Sequence, residues 1–343
     1  MAHSGRLSSK SLHRALIVAP AWVGDMVMAH TLVRCLRQRH SGVVIDMLAP
    51  MATAPVAQRM AEIDTTHVVD FQHGELGLNK RRQVGKQMRM LNYDAAFVLP
   101  NSWKSALVPW FAGIELRIGW SGEARLGLLN DRRKLVKARY PLMIERFMAL
   151  ADPAGELPEQ PYPFPQLQPD RSRALALADK FNLPTENVVI LCPGAEFGPA
   201  KKWPVEHFAE LASQLLELGQ QVWLMGSPKD AQDTAKIKGL APACFDLAGK
   251  TSLTDAIDLM SFAGQAVCND SGLMHVACAL GVPTVGVFGS TSPGFTPPLG
   301  ERAVVVEQSL ACRPCFQREC PLGHLDCLRT LTPKLVLEQM SFV

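Results

Sequence analysis

Short apolar runs alternate with amphipathic stretches along the first half of the chain. Apolar runs followed by a helical repeat are typical of parallel α/β proteins, in which helices cover the faces of a sheet. The runs predict strands at Ala15–Ala19, Val43–Leu48, His67–Phe71 and Ala95–Pro100. Apolar residues at helical spacing predict helices at Met26–Arg39, Pro55–Met60, Lys80–Leu91 and Pro141–Ala151. Met1–Arg14 is polar and basic, which favours a polar leader without a cleavage site.

The same alternation begins again after a stretch of 153–170 that contains six prolines. Such a stretch has little periodicity and predicts a linker between a domain at 1–152 and another at 171–343. In the second half we predict strands at Val188–Cys192, Gln221–Met225, Ala266–Cys268 and Pro283–Phe288. Helices are predicted at Arg171–Phe181, Val205–Leu218, Asp230–Leu240 and Leu253–Ser261, with a short one around Met274–Leu280. The expected fold class is therefore α/β, with two Rossmann-like domains facing each other across a cleft.

Two polar tips follow neighbouring strands in the second half, at Asn269–Gly272 and Gly289–Ser292. In open α/β sheets, ligands bind beyond the carboxyl ends of the strands. Helix starts with exposed backbone N–H groups suit a phosphate, so the pair of tips favours a diphosphate site. Ordinary helix caps are the alternative. The first loop carries only Gly24 and lacks the G-x-G-x-x-G fingerprint of dinucleotide-binding proteins.

Composition and charge exclude several classes of function. The chain has 343 residues, of which 48% are hydrophobic and 20% charged, as in a globular protein with more than one core. A net charge of +3 and the lack of an aromatic-basic stripe argue against nucleic-acid binding. No apolar run approaches the length of a transmembrane helix. Several of the nine cysteines lie in apolar runs, which indicates reduced thiols in a cytoplasmic protein.

A cysteine-rich loop lies near the C-terminus, at 312–327. Four thiols in so short a segment resemble a structural zinc knuckle, because tetrahedral zinc binds Cys and His. The spacing matches no standard zinc ribbon or finger, and a metal-free thiol loop packed on the domain is the alternative. The candidate ligands are Cys312, Cys315, Cys320 and Cys327, with His324 between them.

Four motifs together resemble the bacterial ADP-heptose:lipopolysaccharide heptosyltransferases, in glycosyltransferase family 9. They read PAWVGDM at 20–26, LPNSWKSA at 99–106, CPGAEFGPAKKWP at 192–204 and NDSGLMH at 269–275. The similarity covers nearly the whole chain from about Ala15 and is greatest to the type II branch. It implies the GT-B fold, with the acceptor bound mainly by the N-terminal domain and ADP-heptose by the C-terminal one. It also implies an inverting transferase that needs no cofactor, with a type I or later core enzyme as the alternative.

The resemblance assigns roles to individual residues. An inverting transfer needs a base for the acceptor hydroxyl, and Asp25 matches the catalytic aspartate of the family, although an N-cap role is the alternative. Lys201 matches the phosphate-contacting lysine, and Lys202 is expected to be solvated. The other expected donor-binding residues are Asp270, Ser271, Gly272, His275, Gly289, Ser290 and Thr291. The loop residues expected to bind the acceptor are Asn101, Ser102 and Lys104.

The resemblance also implies partners and a location. The acceptor is expected to be Kdo-lipid A carrying a heptose, at the cytoplasmic face of the inner membrane. A basic helix with Lys80, Arg81, Arg82, Lys86 and Arg89 could bind this anionic surface, as could four arginines between 117 and 133. A solvated helix face is the alternative.

Overall fold

The computed structural model describes residues 12–71 and 74–341, so most of the predicted polar leader lies outside the described residues. The chain divides into two compact units at Pro165/Gln166, a boundary that falls within the predicted linker. No helix among the described residues is both long and apolar enough to cross a bilayer.

The first unit is built on a six-stranded parallel sheet in the order β3-β2-β1-β4-β5-β6. The strands are β1 Arg14–Val18, β2 Val44–Pro50, β3 Thr65–Val69, β4 Ala95–Val98, β5 Leu116–Trp120 and β6 Asp131–Arg133. The helices are α1 Val23–Arg39, α2 Ala54–Ala57, α3 Leu78–Arg89, α4 Leu107–Ala112 and α5 Met143–Met148. All four residues of β4 are buried, as a continuous apolar run predicts for a strand covered on both faces. A 3₁₀ turn at Trp103–Ala106 leads into α4.

The second unit repeats this plan with a parallel sheet in the order β12-β11-β10-β7-β8-β9. Its strands are β7 Val188–Cys192, β8 Gln221–Leu224, β9 Phe245–Asp246, β10 Ala263–Asn269, β11 Thr284–Phe288 and β12 Ala303–Glu307. The larger helices are α6 Arg171–Lys180, α7 Val205–Glu217, α8 Ala231–Leu240, α9 Leu253–Met260 and α10 Gly272–Ala279. Short helices follow at α11 Asp326–Arg329 and α12 Pro333–Leu337.

Both sheets have the strand order of the doubly wound Rossmann fold. In each, the first strand of the unit pairs with the second on one side and with the fourth on the other. The connections reverse direction at that point, and the loops after the first and fourth strands diverge there to leave a crevice. In the first unit these loops follow β1 and β4, and in the second they follow β7 and β10. The topology therefore selects these four loops as the candidate binding elements.

Candidate active site

Three of the predicted donor-binding residues meet at the crevice of the second unit. The Lys201 ammonium lies 2.6 Å from a carboxylate oxygen of Asp270, and the Thr291 hydroxyl donates to the same oxygen at 2.5 Å. Asp270 is 3% exposed, so its charge depends on these two neighbours for stabilisation. Residues from the loops after β7, β10 and β11 thus form one polar cluster.

Asn269, which the sequence placed in a polar tip but not among the donor-binding residues, fixes both ends of the loop after β7. Its carbonyl oxygen accepts from the Trp203 backbone N–H at 3.0 Å, and its amide donates to the Pro193 carbonyl at 2.7 Å. The side chain is completely buried. The signal available in the sequence was an amide directly after the apolar run Ala266–Cys268, because a buried amide at such a position needs hydrogen-bond partners.

Helix α10 begins at Gly272, directly after the Asp270 carboxylate. Its N-cap is Ser271, in an extended conformation and without a side-chain cap hydrogen bond. The first backbone N–H groups of a helix have no partner within the helix and carry the positive end of its dipole. Ser271 and Gly272 are half-buried. This helix start lies next in sequence to the Lys201–Asp270 pair and suits a phosphate.

His275 lies one turn into α10 and is 4% exposed. Burial lowers the pKa of His275 to about 4, against the opposing effect of Asp270 and with a further lowering by Lys201. The imidazole is therefore neutral at physiological pH. Its Nδ1 atom has no hydrogen-bond partner within residues 12–71 and 74–341. A neutral imidazole with an unpaired nitrogen can form a hydrogen bond to a ligand without adding a charge to the site.

The other two residues predicted to bind the donor, Gly289 and Ser290, also serve packing. A Cβ on Gly289 would lie 2.6 Å from the Ala200 carbonyl, so the two loops approach too closely for a side chain there. The Ser290 backbone N–H donates to that same carbonyl at 3.1 Å. The Ser290 side chain is 1% exposed and lines a small pocket among the cysteines.

The cysteine-rich loop brings its four thiols and His324 around that pocket. Burial raises the pKa of Cys327, and the nearby Cys312, Cys320 and Cys315 raise it further. Backbone N–H groups of residues 322–325 lower the pKa of Cys320 by hydrogen bonding to its sulfur. Within the described ranges, no group of three or more His, Cys, Asp or Glu side chains has an arrangement that could hold a metal ion. The four thiols thus line one pocket, but in the described residues they are not arranged around a common point as metal ligands would be.

Asp25 lies in the first turn of α1, after the loop that follows β1. The N-cap of this helix is Trp22, so the alternative role predicted for Asp25 as the N-cap is wrong. Its carboxylate is half-buried at the helix N-terminus, where the dipole favours a negative charge. Asp25 is therefore placed at the crevice of the first unit.

The predicted acceptor residues lie on the loop after β4, at the other side of this crevice. Asn101 is exposed, and its side-chain oxygen accepts from Arg125 at 3.2 Å. Ser102 is the N-cap of the 3₁₀ turn. Lys104 bends back to the carbonyls of Gly74 and Glu75, at 3.2 and 3.4 Å.

Arg125 is the main element of this region that sequence reasoning misjudged. It is fully buried and donates to the Pro100 carbonyl at 2.8 Å, besides contacting Asn101 and the Trp120 carbonyl. Burial lowers the pKa of its guanidinium. Arg125 therefore fixes the loop after β4 and does not contribute to a basic surface. Arg81, counted with the basic helix, is also buried, with its guanidinium 4.0 Å from the Phe71 ring centroid.

Lys202 is not simply solvated as expected. Its ammonium lies 2.9 Å from Asp233 and 3.7 Å from Asp230, carboxylates at and near the start of α8. Both Gly194 and Gly226 pack against Asp230, where a Cβ would meet the carboxylate or its stem within 3 Å. The two adjacent lysines therefore point to different partners, and only Lys201 reaches Asp270.

Comparisons with known proteins identify the family to which these sites belong. Residues 81–326 match the family model described as glycosyltransferase family 9 (heptosyltransferase). The chain belongs to glycosyltransferase family 9. It is 43% identical to lipopolysaccharide heptosyltransferase 2 of Escherichia coli K12, covering 96% of this chain and 97% of the relative. It is 44% identical to lipooligosaccharide heptosyltransferase 2 of Haemophilus ducreyi, covering 96% and 98%.

A solved structure of this family agrees with the fold. The structure of E. coli ADP-heptose LPS heptosyltransferase II superposes with a TM-score of 0.84 at 41% identity, covering 95% of this chain and 97% of that one. The prediction of a GT-B fold is confirmed. The predicted family and the predicted glycosyltransferase activity are confirmed as well. The residue assignments within both crevices stay predictions.

Proposed function

We propose that the chain is a heptosyltransferase II that transfers L-glycero-D-manno-heptose from ADP-heptose to the heptose of the lipopolysaccharide inner core, with inversion at the anomeric carbon. Relatives named heptosyltransferase 2 align with it over nearly their whole length. The observation that carries the residue assignment is the Lys201–Asp270–Thr291 cluster at the crevice of the second unit. That cluster joins motifs far apart in sequence, which supports a role for them in one binding site.

The donor's leaving group is ADP, which accumulates negative charge as the glycosidic bond breaks. Lys201 supplies a cation for its diphosphate, and the backbone N–H groups at the start of α10, around Ser271 and Gly272, supply dipoles. Asp270 positions the Lys201 ammonium through the contact of 2.6 Å. His275 supplies a neutral hydrogen-bonding group on the same helix. Gly289 and Ser290 shape the loop that carries Thr291, and contribute through the backbone.

Asp25 is proposed as the general base. It takes the proton from the acceptor hydroxyl as the hydroxyl oxygen forms a bond to the anomeric carbon and the bond to ADP breaks. Asn101, Ser102 and Lys104, on the loop after β4, are proposed to bind the acceptor, Kdo-lipid A extended by a heptose. The Lys104 ammonium, now on two carbonyls, can redirect to a sugar carboxylate at small cost because carbonyls are weaker partners than carboxylates.

No cofactor enters this mechanism. The structural zinc expected at Cys312, Cys315, Cys320 and Cys327 stays a prediction, and elemental analysis of the purified protein tests it. We also propose that the enzyme works peripherally at the cytoplasmic face of the inner membrane, where its lipid acceptor is presented. Sedimentation with anionic vesicles at low and high salt tests that location.

The decisive experiment incubates the enzyme with ADP-heptose and lipopolysaccharides truncated at graded core lengths, followed by mass spectrometry. We expect the acceptor that ends in one heptose to gain a second heptose unit. Transfer to an acceptor without heptose would identify a type I enzyme instead. Release of free sugar without any acceptor would contradict a transferase.

The base is tested with Asp25→Asn, which keeps the shape of the side chain. We expect kcat to fall about a hundredfold or more, with the affinity for ADP little changed. Asp70→Asn is the matched control, because Asp70 is an exposed carboxylate in the same unit. Unchanged single-turnover rates for Asp25→Asn would exclude Asp25 as the base.

A further inference from the structure

The cysteine-rich loop is hydrogen-bonded to two loops of the proposed donor site, those after β7 and β11. The Ala200 N–H donates to the Arg318 carbonyl at 3.0 Å, and the Phe316 N–H donates to the Ser290 carbonyl at 2.8 Å. The Arg313 guanidinium donates to the Gly289 carbonyl at 2.5 Å and to the Thr291 carbonyl at 3.1 Å. The segment therefore belongs to the same structural unit as the loops that carry Lys201 and Thr291.

The approach of this segment is close at Gly198. A Cβ on Gly198 would lie 2.5 Å from the Arg318 carbonyl oxygen, so a glycine is needed where the two backbones meet. The Arg318 backbone therefore contacts Gly198 and Ala200, which precede Lys201 by three residues and by one residue. The position of the Arg318 Cα is set by backbone contacts that do not involve its side chain.

The side chain of Arg318 lies beside the same aromatic ring as Lys201. The Arg318 guanidinium carbon is 5.3 Å from the Phe197 ring centroid, and the Lys201 ammonium is 5.2 Å from it. An aromatic ring attracts a cation through its quadrupole, so Phe197 can hold both groups in place. Two cations on one ring repel each other, and an anion near both would relieve that repulsion.

The two cations differ in their partners. Lys201 is 2.6 Å from Asp270, so this pair is close to neutral. Arg318 is exposed, and no carboxylate in the described ranges lies within ion-pair distance of it. The nearest acidic residue in sequence to Phe197, Glu196, is paired with Lys229. Arg318 therefore adds a positive charge at this site that no carboxylate offsets, whereas the charge of Lys201 is offset by Asp270.

We propose that Arg318 is a second phosphate-binding residue for the donor, and that the cysteine-rich segment serves to present it. This inference rests on the proposed function of the Lys201 site. A guanidinium can donate two parallel hydrogen bonds to phosphate oxygens, which an ammonium cannot do. Lys201 would then bind one part of the diphosphate as a point charge, and Arg318 would bind it with a defined orientation.

The test measures the affinities of the full chain for ADP and for adenosine by calorimetry. We expect Arg318→Gln to weaken ADP binding about tenfold, as for the loss of a charge-assisted contact, and to leave adenosine binding within twofold. Arg318→Lys, which keeps the charge, should recover part of the loss. Arg329→Gln is the matched control, because Arg329 is an exposed arginine just beyond the same segment. Its ADP affinity should equal that of the unmodified chain.

Lys201→Ala separates this inference from the proposed function. If Lys201→Ala weakens ADP binding and Arg318→Gln does not, the role of Arg318 is excluded and the donor site stands. If Arg318→Gln weakens ADP and adenosine equally, the side chain acts only on the structure of the loop, which also excludes the proposal. If the unmodified chain binds no ADP, both the donor site and the inference are wrong.

Discussion

Buried His275 makes the stability of the second unit depend on pH in a direction that the structure fixes. Burial lowers the pKa of His275 in the folded protein to about 4, from an ordinary value of 6.5. The unfolded chain therefore binds the proton more readily than the folded chain at any pH between these values. His275 thus contributes a stability that is complete above pH 6.5 and is lost progressively as the pH falls toward 4.

The size of the effect follows from the difference in pKa. A depression of this size corresponds to about 3 kcal/mol between the two protonation states once both have titrated. At pH 5 the folded imidazole is still mostly neutral and the unfolded one mostly charged, and linkage then gives a loss of about 2 kcal/mol relative to pH 7. This is a sizeable part of the free energy of unfolding of an ordinary domain.

The assay compares urea unfolding of the unmodified chain and of His275→Gln at pH 7 and at pH 5. Glutamine fills much of the same space without a titrating group. The carboxylates contribute equally to both proteins, so the difference between the two pH effects isolates His275. We expect the unmodified chain to lose about 2 kcal/mol more than the variant over this interval.

Equal losses in both proteins would refute the reasoning. They would mean that His275 protonates in the folded state as easily as in the unfolded one, and that it is not buried away from water. An NMR titration of the His275 ring gives a second readout that does not depend on unfolding. A ring signal that moves near pH 6.5 would refute the neutral form proposed in the donor site.

Three further substitutions test the positioning residues. Asn269→Ala should destabilise the second unit by about 2–4 kcal/mol in urea unfolding, because it leaves the buried Trp203 N–H and the Pro193 carbonyl unpaired, and an unchanged midpoint would contradict this. Gly198→Ala should weaken ADP binding by forcing the loop after β7 away from the Arg318 carbonyl, and an unchanged ADP affinity in calorimetry would contradict the close approach. Arg125→Met should destabilise the first unit by about 1–3 kcal/mol and raise KM for the acceptor, because the Pro100 and Trp120 carbonyls lose the guanidinium that donates to them, and wild-type values for both would contradict that role.

The alternation of apolar runs and helical repeats was sufficient to predict most of the fold. The strand predicted at Val188–Cys192 has those bounds in the structure, because five consecutive apolar residues lie between Asn187 and Pro193, which both favour a turn or loop. The strand at Ala303–Glu307 was missed although three adjacent valines mark it. Helix α4 at Leu107–Ala112 was missed as well, because it is short, contains Pro109 and buries most of its length without a polar face.

The candidate site was predicted unevenly, for a physical reason. Local sequence shows which loops end strands, and the resemblance to glycosyltransferase family 9 then singled out Asp25 and Lys201 on those loops. The pairing of side chains is a property of the sheet order, which no local pattern contains. Lys202 was therefore expected to be solvated, whereas the structure pairs Lys201 with Asp270 and Lys202 with Asp233. Arg125 looked like a surface charge for the same reason, because the Pro100 carbonyl to which it donates lies on a separate loop, after β4.

A neutral Lys201–Asp270 pair is a poor phosphate site by itself, and this explains why the surrounding elements matter. The cost of removing the Lys201 charge from water is offset by the Asp270 carboxylate. The net charge of the pair is then close to zero, so it attracts an anion only weakly. In the proposed donor site, the diphosphate would therefore draw on the start of α10, on the neutral His275 and on a cation that no carboxylate neutralises. If ADP affinity depended on Lys201 alone and did not respond to Arg318, the Lys201–Asp270 contact of 2.6 Å would have to open when the donor binds, and Thr291 would have to hold the Asp270 charge by itself.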